Sequence, residues 1–147
     1  MSSHYSKLLI NLAISTVVMY LVMFAMIDGL ADFYNNINML YMALMMLAPM
    51  AILMLLMMGS MYQNKRLNLV LYIAFVGLFV GAFAFTRAQT LVGDEQFLRS
   101  MIPHHSGAIL MCRDAAISDP EIAALCDRII QSQREEIEQM KSILSRY

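Results

Sequence analysis

No tryptophan occurs anywhere in the 147 residues, and the chain holds only two cysteines and three prolines. Charge is also missing from long stretches. Of the 21 Asp, Glu, Lys and Arg residues, 16 fall from Arg87 onward, and the first 86 positions carry only Lys7, Asp28, Asp32, Lys65 and Arg66. That asymmetry excludes an ordinary soluble domain and reads as a membrane half followed by a water-facing half. The net charge of −1 comes with no basic stripe, which excludes a nucleic-acid binder. Paired Glu-x-x-His, the usual basis of di-iron chemistry in helical bundles, is absent, as is the His-Glu-x-x-His of zinc proteases. Ser106 lies beside His105, but the sequence places no carboxylate or oxyanion donor with them, so there is no triad. The chain is expected not to be an enzyme.

Apolar residues make up 60% of the chain, and 16 of them are methionine. Residues 8–27, 39–62 and 67–86 are runs without Asp, Glu, Lys or Arg. Each is about 20 residues long and reaches about 30 Å as a helix, enough to cross a bilayer. The expected architecture is all-α: a transmembrane region over residues 1–90 and an extracytoplasmic helical hairpin over residues 91–147. Lys7, Lys65 and Arg66 flank one side of the spans, while the loop over residues 28–38 has no Lys or Arg. The positive-inside rule then puts the N-terminus in the cytoplasm of a bacterial inner membrane and the hairpin in the periplasm. Gly29, Leu30 and Ala31 offer a small-residue cleavage site, but the run before them exceeds a signal peptide's apolar core, so a retained helix is expected. Tyr5, Tyr34, Tyr41, Tyr62 and Tyr72 lie near helix ends, where interfacial anchors belong.

Met39, Met42, Met46, Met50, Met54, Met57 and Met61 recur at steps of three or four down the second span, and Met19, Met23 and Met26 do so in the first. Methionine as flexible apolar filler accounts for such a stripe. The sharper reading is a thioether ladder that holds or passes a soft cation. Pro49 should kink the second span. Gly77 and Gly81 in the third permit close approach to another helix or to a second copy.

The hairpin carries the chemistry. Met101, His104, Ala108 and Met111 share one helical stripe, and Met101, His105, Ala108 and Cys112 share an adjoining one. Two imidazoles, two thioethers and a thiol form a soft-metal ligand set suited to Cu(I) rather than to Ca²⁺ or Mg²⁺. Each of Met101, Met111 and Cys112 taken alone is as well explained as a core residue. Adjacent histidines point about 100° apart, so one can face the hairpin partner and the other a third element. Pro103 should kink the helix or restart it. Ser118 to Glu121 forms a capping box that starts the next helix, whose buried side is expected to be Ile122, Leu125, Ile129, Ile130, Ile137, Met140 and Leu144.

With the turn near Asp119, facing positions sum to about 238. Cys112 then meets Cys126, His105 meets Gln133, His104 meets the Arg134–Glu136 level, and Met101 meets the Ile137–Met140 level. Gln133, Glu136 and Met140 share a face and come to the histidine pair. The cysteines have two readings, a disulfide stapling the helices or a pair of further ligands, and their matched level favours the disulfide. A Zn²⁺ site of His104, His105 and Glu136 is a further option.

Asp94, Phe97, Met101, His104, His105, Ala108 and Met111, followed by Gln133, Glu136, Ile137 and Met140, fall in a spacing that resembles domain-of-unknown-function family 305 over residues 94–144. The resemblance implies a helical, ferritin-like, exported or membrane-tethered module, some members of which bind copper or silver through Met and His. It implies ligands at Met101, His104, His105, Met111 and Met140, with Gln133 and Glu136 as nearby polar partners. The family has no settled activity. Its helix pair is often repeated in one chain, and here a single pair occurs, which favours a homo-oligomer completing the bundle. Two functions compete. One is a soft-metal protein of the membrane, serving copper tolerance, storage or delivery. The other is a structural or interaction module whose histidine pair closes a polar network in the bundle core.

Overall fold

The computed structural model describes residues 3–147, and every regular element among them is helical. α1 spans Ser3–Val22 and continues as a 3-10 turn over Met23–Met26. A second 3-10 turn, Leu30–Asp32, precedes α2 (Ile37–Met57), α3 (Lys65–Ala88), α4 (Asp94–Asp114) and α5 (Pro120–Leu144). Three helical stretches, His4–Met26, Ile37–Met57 and Lys65–Ala88, are long and apolar enough to cross a membrane. The expected second span stops earlier than residue 62, because residues 58–61 turn at Gly59 and Ser60. α3 begins earlier than expected, where the Asn64 side chain accepts the backbone N–H of Leu67 and so caps the helix.

The chain forms two compact units that do not divide at a single point. One holds the residues up to Val22 and Asn38–Thr90, and the other holds Met23–Ile37 and Leu91–Tyr147. The segment between the first two spans therefore packs with the hairpin rather than with the membrane helices.

In the first unit Leu8, Leu12, Leu47, Ala48, Ala51, Leu55 and Phe75 make the core. Ala43, Ala48 and Ala51 are wholly covered, as expected where small residues let helices approach closely. Val17, Leu21, Leu53, Leu56, Ile73, Val76 and Val80 point outward, so the unit is apolar on its outside as well as within. Tyr5, Tyr41 and Tyr62 are buried at helix ends, which they tie together. The Tyr5 hydroxyl donates to Asn68 Oδ1 (2.8 Å) and accepts from the Asn64 backbone N–H (3.1 Å). At the opposite end the Tyr41 hydroxyl donates to the Thr90 carbonyl (2.8 Å), and its ring meets Phe85 edge-on. α2 runs through Pro49 without interruption. A Cβ added to Gly77 or Gly81 would touch nothing, so the close approach expected there is not made within this chain.

The second unit is the hairpin with the 23–37 segment laid on it. Leu98, Ile102, Ile109, Ile137 and Met140 form its core, with Tyr34, Met101, Ile130, Ile143 and Leu144 packed around them. Ile122 and Leu125, expected in that core, are instead 49% and 46% exposed. Ile122 lies on the same face as Cys126 and Met140, but the apolar cluster reaches no further toward the turn than Ile130, so Ile122 and Leu125 in the first turns of α5 stay exposed. α5 is capped by Asp119 rather than Ser118. Its carboxylate accepts from the Glu121 and Ile122 N–H groups, with Pro120 in the first turn.

α4 passes through Pro103 without the expected break. Proline at this position leaves the carbonyl of Arg99 without its helical donor, and the Asn36 side-chain amide from the 23–37 segment donates to that carbonyl (3.4 Å). The Ile37 N–H donates to Gln96 Oε1 (3.0 Å), and Phe24 and Phe33 stack at 4.3 Å. At Gly107 a Cβ would lie 3.3 Å from the Met26 carbonyl oxygen. The bare backbone of Gly107 is what lets the segment lie so close.

Candidate functional site around His105

Consecutive residues on a helix diverge by about 100°, and α4 uses that divergence to separate its two histidines. His105 is buried, whereas His104 is exposed, with ring centroids 6.4 Å apart. The expected convergence of both rings in one pocket is therefore not observed. The Nδ1–H of His105 donates to the Met101 carbonyl one turn back (2.9 Å), and Nε2 lies 2.7 Å from Glu136 Oε2. A carbonyl can only accept, so Nδ1 carries a hydrogen. The contact with an ionised carboxylate is favourable when Nε2 carries one too. Glu136 also accepts from the Ser132 hydroxyl (2.9 Å). The Ser132 bond first, and the His105 contact second, hold the Glu136 carboxyl below its ordinary range against a small opposing effect of desolvation.

The register of the hairpin explains the change of partner. Cys112 and Cys126 form a disulfide with their Cα atoms 5.1 Å apart, as the matched levels suggest. About two turns further along, the partner of His105 is Glu136 rather than Gln133, which is half-buried. With both sulfurs in the disulfide, Cys112 and Cys126 are not available as thiolate ligands. Met140 is buried, and Met101 packs against the same cluster. Met111 is 58% exposed and faces away. Of the five residues expected as metal ligands, Met101 and Met140 pack in one core cluster, His105 bonds the Met101 carbonyl and Glu136, and His104 and Met111 are exposed. Among the described residues, no three His, Cys, Asp or Glu side chains gather in a metal-binding group.

The methionines of α2 are distributed rather than gathered. Met42, Met46, Met57 and Met61 are exposed, Met50 and Met54 pack at the margin of the core, and Met39 is half-buried. The face of α2 that meets the other spans is built from Ala43, Leu47, Ala48, Ala51 and Leu55.

Beside His105 lies a second polar cluster that sequence reading missed. Ser106 is fully buried, and its hydroxyl donates to Asp32 Oδ2 (2.7 Å) while accepting the Asp28 N–H (2.7 Å). Asp32 is itself buried and pairs through Oδ1 with Lys141 Nζ (2.7 Å). Burial lowers the Lys141 pKa, but the hydrogen bond and charge of Asp32 outweigh it and leave the ammonium raised above its ordinary value. Arg113 pairs with both Asp114 and Asp28, which raises the guanidinium and lowers the Asp114 carboxyl. The available signal was the isolation of Asp28 and Asp32, the only acidic residues in the first 86.

Residues 83–144 match the family described as Domain of unknown function (DUF305). An uncharacterized protein of Acanthamoeba polyphaga mimivirus is 34% identical over 119 residues, which cover 80% of this chain and 76% of that protein. The chain belongs to the DUF305 family. The DUF305 match starts within α3, before the hairpin, and the viral relative's alignment extends well into the apolar half. No solved structure matches the chain. Within the DUF305 stretch, the consecutive residues His105, Ser106 and Gly107 each meet a different partner: Glu136 of α5, Asp32 of the preceding segment, and the Met26 backbone.

Proposed function

We propose that this DUF305 protein is a non-enzymatic membrane protein whose hairpin takes a soft monovalent cation, Cu(I) or Ag(I), at His105, Met101 and Met140, in copper tolerance, storage or delivery. The observation that carries this reading is the orientation of His105. Its Nδ1–H is held by the Met101 carbonyl, an arrangement typical of histidines that present Nε2 to a metal, and the Met101 and Met140 side chains belong to the core cluster shared by α4 and α5. Glu136 Oε2 faces Nε2, so loading requires this carboxylate to swing aside and leave the Nε2 lone pair to the metal. The 48% exposure of the Glu136 side chain leaves room for that movement. A harder ion such as Zn²⁺ would instead favour His105 together with Glu136.

The same reading places the N-terminus in the cytoplasm and the hairpin on the opposite side, in a bacterium the periplasm. The basic residues Lys7, Lys65 and Arg66 at the first span and between the second and third, and the presence of a disulfide in the hairpin, support it. Phe97, Met111, Ile122 and Leu125 are exposed on the hairpin and suit a homo-oligomer that completes the bundle. Titration with Ag(I) or Cu(I) against a competing chelator tests the site. Met101→Leu with Met140→Leu keeps volume and apolarity, so it should fold while losing affinity.

A second reading is favoured by one specific observation: both ring nitrogens of His105 already have partners, and no buried side-chain nitrogen or oxygen among the described residues lacks one. On this reading the pair is a clamp between α4 and α5. The double methionine variant would then bind no less metal than the wild type, because neither would bind specifically.

A further inference from the structure

The first unit carries a feature that the hairpin's chemistry does not use. Its described residues, 3–22 and 38–90, contain no Asp or Glu at all, while Lys7, Lys65 and Arg66 gather at the end where α1 begins and α3 begins. At that end lies an open cavity of about 560 Å³, within the size range of small-ligand sites, about 300–1,000 Å³. His4, Ser60, Gln63 and Asn64 give it polar walls, and Tyr5 and Leu67 complete it. Tyr5 and Leu67 also line an adjoining apolar groove of about 90 Å³, which continues along Leu8, Leu9 and Leu71 between α1 and α3. The Tyr5 hydroxyl is committed to Asn68 and Asn64, which fixes the boundary between the two spaces.

A polar cavity set over an apolar groove at the end of a membrane-spanning unit has the shape of a phospholipid. The charge decides which kind. With Lys65 and Arg66 falling in sequence between the lining residues Asn64 and Leu67, and no Asp or Glu among the unit's described residues to neutralise them, a headgroup of net negative charge is favoured over a zwitterionic one. We propose that this end of the spans holds an anionic phospholipid, its phosphate and glycerol in the His4/Ser60/Gln63/Asn64 cavity beside Lys65 and Arg66, and one acyl chain along the groove of Leu8, Leu9 and Leu71. A surface merely enriched in basic residues would attract such lipids diffusely. The cavity makes the attraction a stoichiometric site.

The full-length protein, delipidated in detergent and titrated with phosphatidylglycerol or phosphatidylcholine under native mass spectrometry, tests this. The wild type should retain one phosphatidylglycerol in preference to phosphatidylcholine. Lys65→Gln with Arg66→Gln should weaken that retention about 25-fold, at about fivefold for each charge removed. Ser60→Phe, at an exposed turn position, fills the cavity with every charge intact and should weaken it as well. Arg87→Gln, at the opposite end of α3, should behave as wild type. Helix content and melting of each variant, read in parallel, separate lost binding from lost fold. Equal retention of the two lipids by the wild type would overturn the proposal. So would undiminished binding by Ser60→Phe, which would leave only a diffuse field, or glycerol 3-phosphate binding as tightly as the lipid, which would leave the groove without a role.

Discussion

Replacing Lys141 with methionine probes the link between the 23–37 segment and the hairpin. Methionine keeps the length and apolar stem of lysine but removes the charge opposite Asp32. The Asp32 and Lys141 side chains are 12% and 25% exposed, between the surface and fully buried cases. Surface pairs contribute about 0–1 kcal/mol, and removing one partner of a fully buried pair costs about 3–5 kcal/mol. Ser106 still donates to Asp32 in the variant, so the expected loss is about 2–3 kcal/mol. For a unit of this size that corresponds to a fall in melting temperature of about 10–20 °C. The sharper assay is hydrogen exchange of the α4 and α5 amides, which reports the local opening free energy without requiring the membrane helices to unfold. Adding Asp32→Asn should restore most of the loss, because a neutral amide in that place no longer strands a charge. A cost below about 0.5 kcal/mol for Lys141→Met, or a double variant whose cost is the sum of the singles, would refute this account of the cluster. The pH dependence follows from the raised Lys141. Its contribution should be complete below the ordinary lysine pKa and should be lost as pH rises through the higher folded value.

Glu136 titrates with the opposite sign. Its lowered carboxyl adds stability that is present above the ordinary carboxyl pKa and lost as pH falls through the folded value, so Glu136→Gln should flatten the acid limb of a stability–pH profile. Cys112→Ser with Cys126→Ser opens a loop of sequence separation 14, and a denaturant midpoint should register a loss of about 3 kcal/mol. Asn36→Ala leaves the Arg99 carbonyl without its donor and should cost about 1–2 kcal/mol. Pro103→Ala in the same chain should recover part of that cost by restoring the helical N–H, as amide exchange at residue 103 would show.

The three spans were legible because the membrane imposes length and apolarity on consecutive residues, and residues 8–27, 39–62 and 67–86 meet that demand without reference to the rest of the fold. The disulfide was legible for a related reason: a short turn fixes the level at which Cys112 and Cys126 meet. That level constraint weakens with distance from the turn, and at His105 it named Gln133 where the structure has Glu136. Periodicity identified the inward side of α5 at Ile130, Ile137, Met140 and Leu144 but not how far toward the turn the core extends, and so Ile122 and Leu125 were misplaced. Pro103 pointed to a break because its remedy, Asn36, lies 63 residues away. The pairing of Asp32 with Lys141 and Ser106 was beyond local reading altogether, since nothing in the neighbourhood of Asp32 says that the segment carrying it leaves the membrane helices for the hairpin. The separation of His104 from His105 follows from helix geometry, yet which of the two turns inward depends on the core made by Ile102 and Ile109.

The central claim is that His105, Met101 and Met140 form a soft-metal site in the hairpin. It is tested most directly by melting the metal-free full-length protein with and without Ag(I), beside the Met101→Leu, Met140→Leu variant. A ligand present at about 100 times its dissociation constant stabilises the folded state by about 2.7 kcal/mol. The account predicts a rise of that order in the wild type and none in the variant. An unmoved wild-type transition, or an equal rise in both proteins, would contradict it and leave His105 and Glu136 as a clamp between two helices.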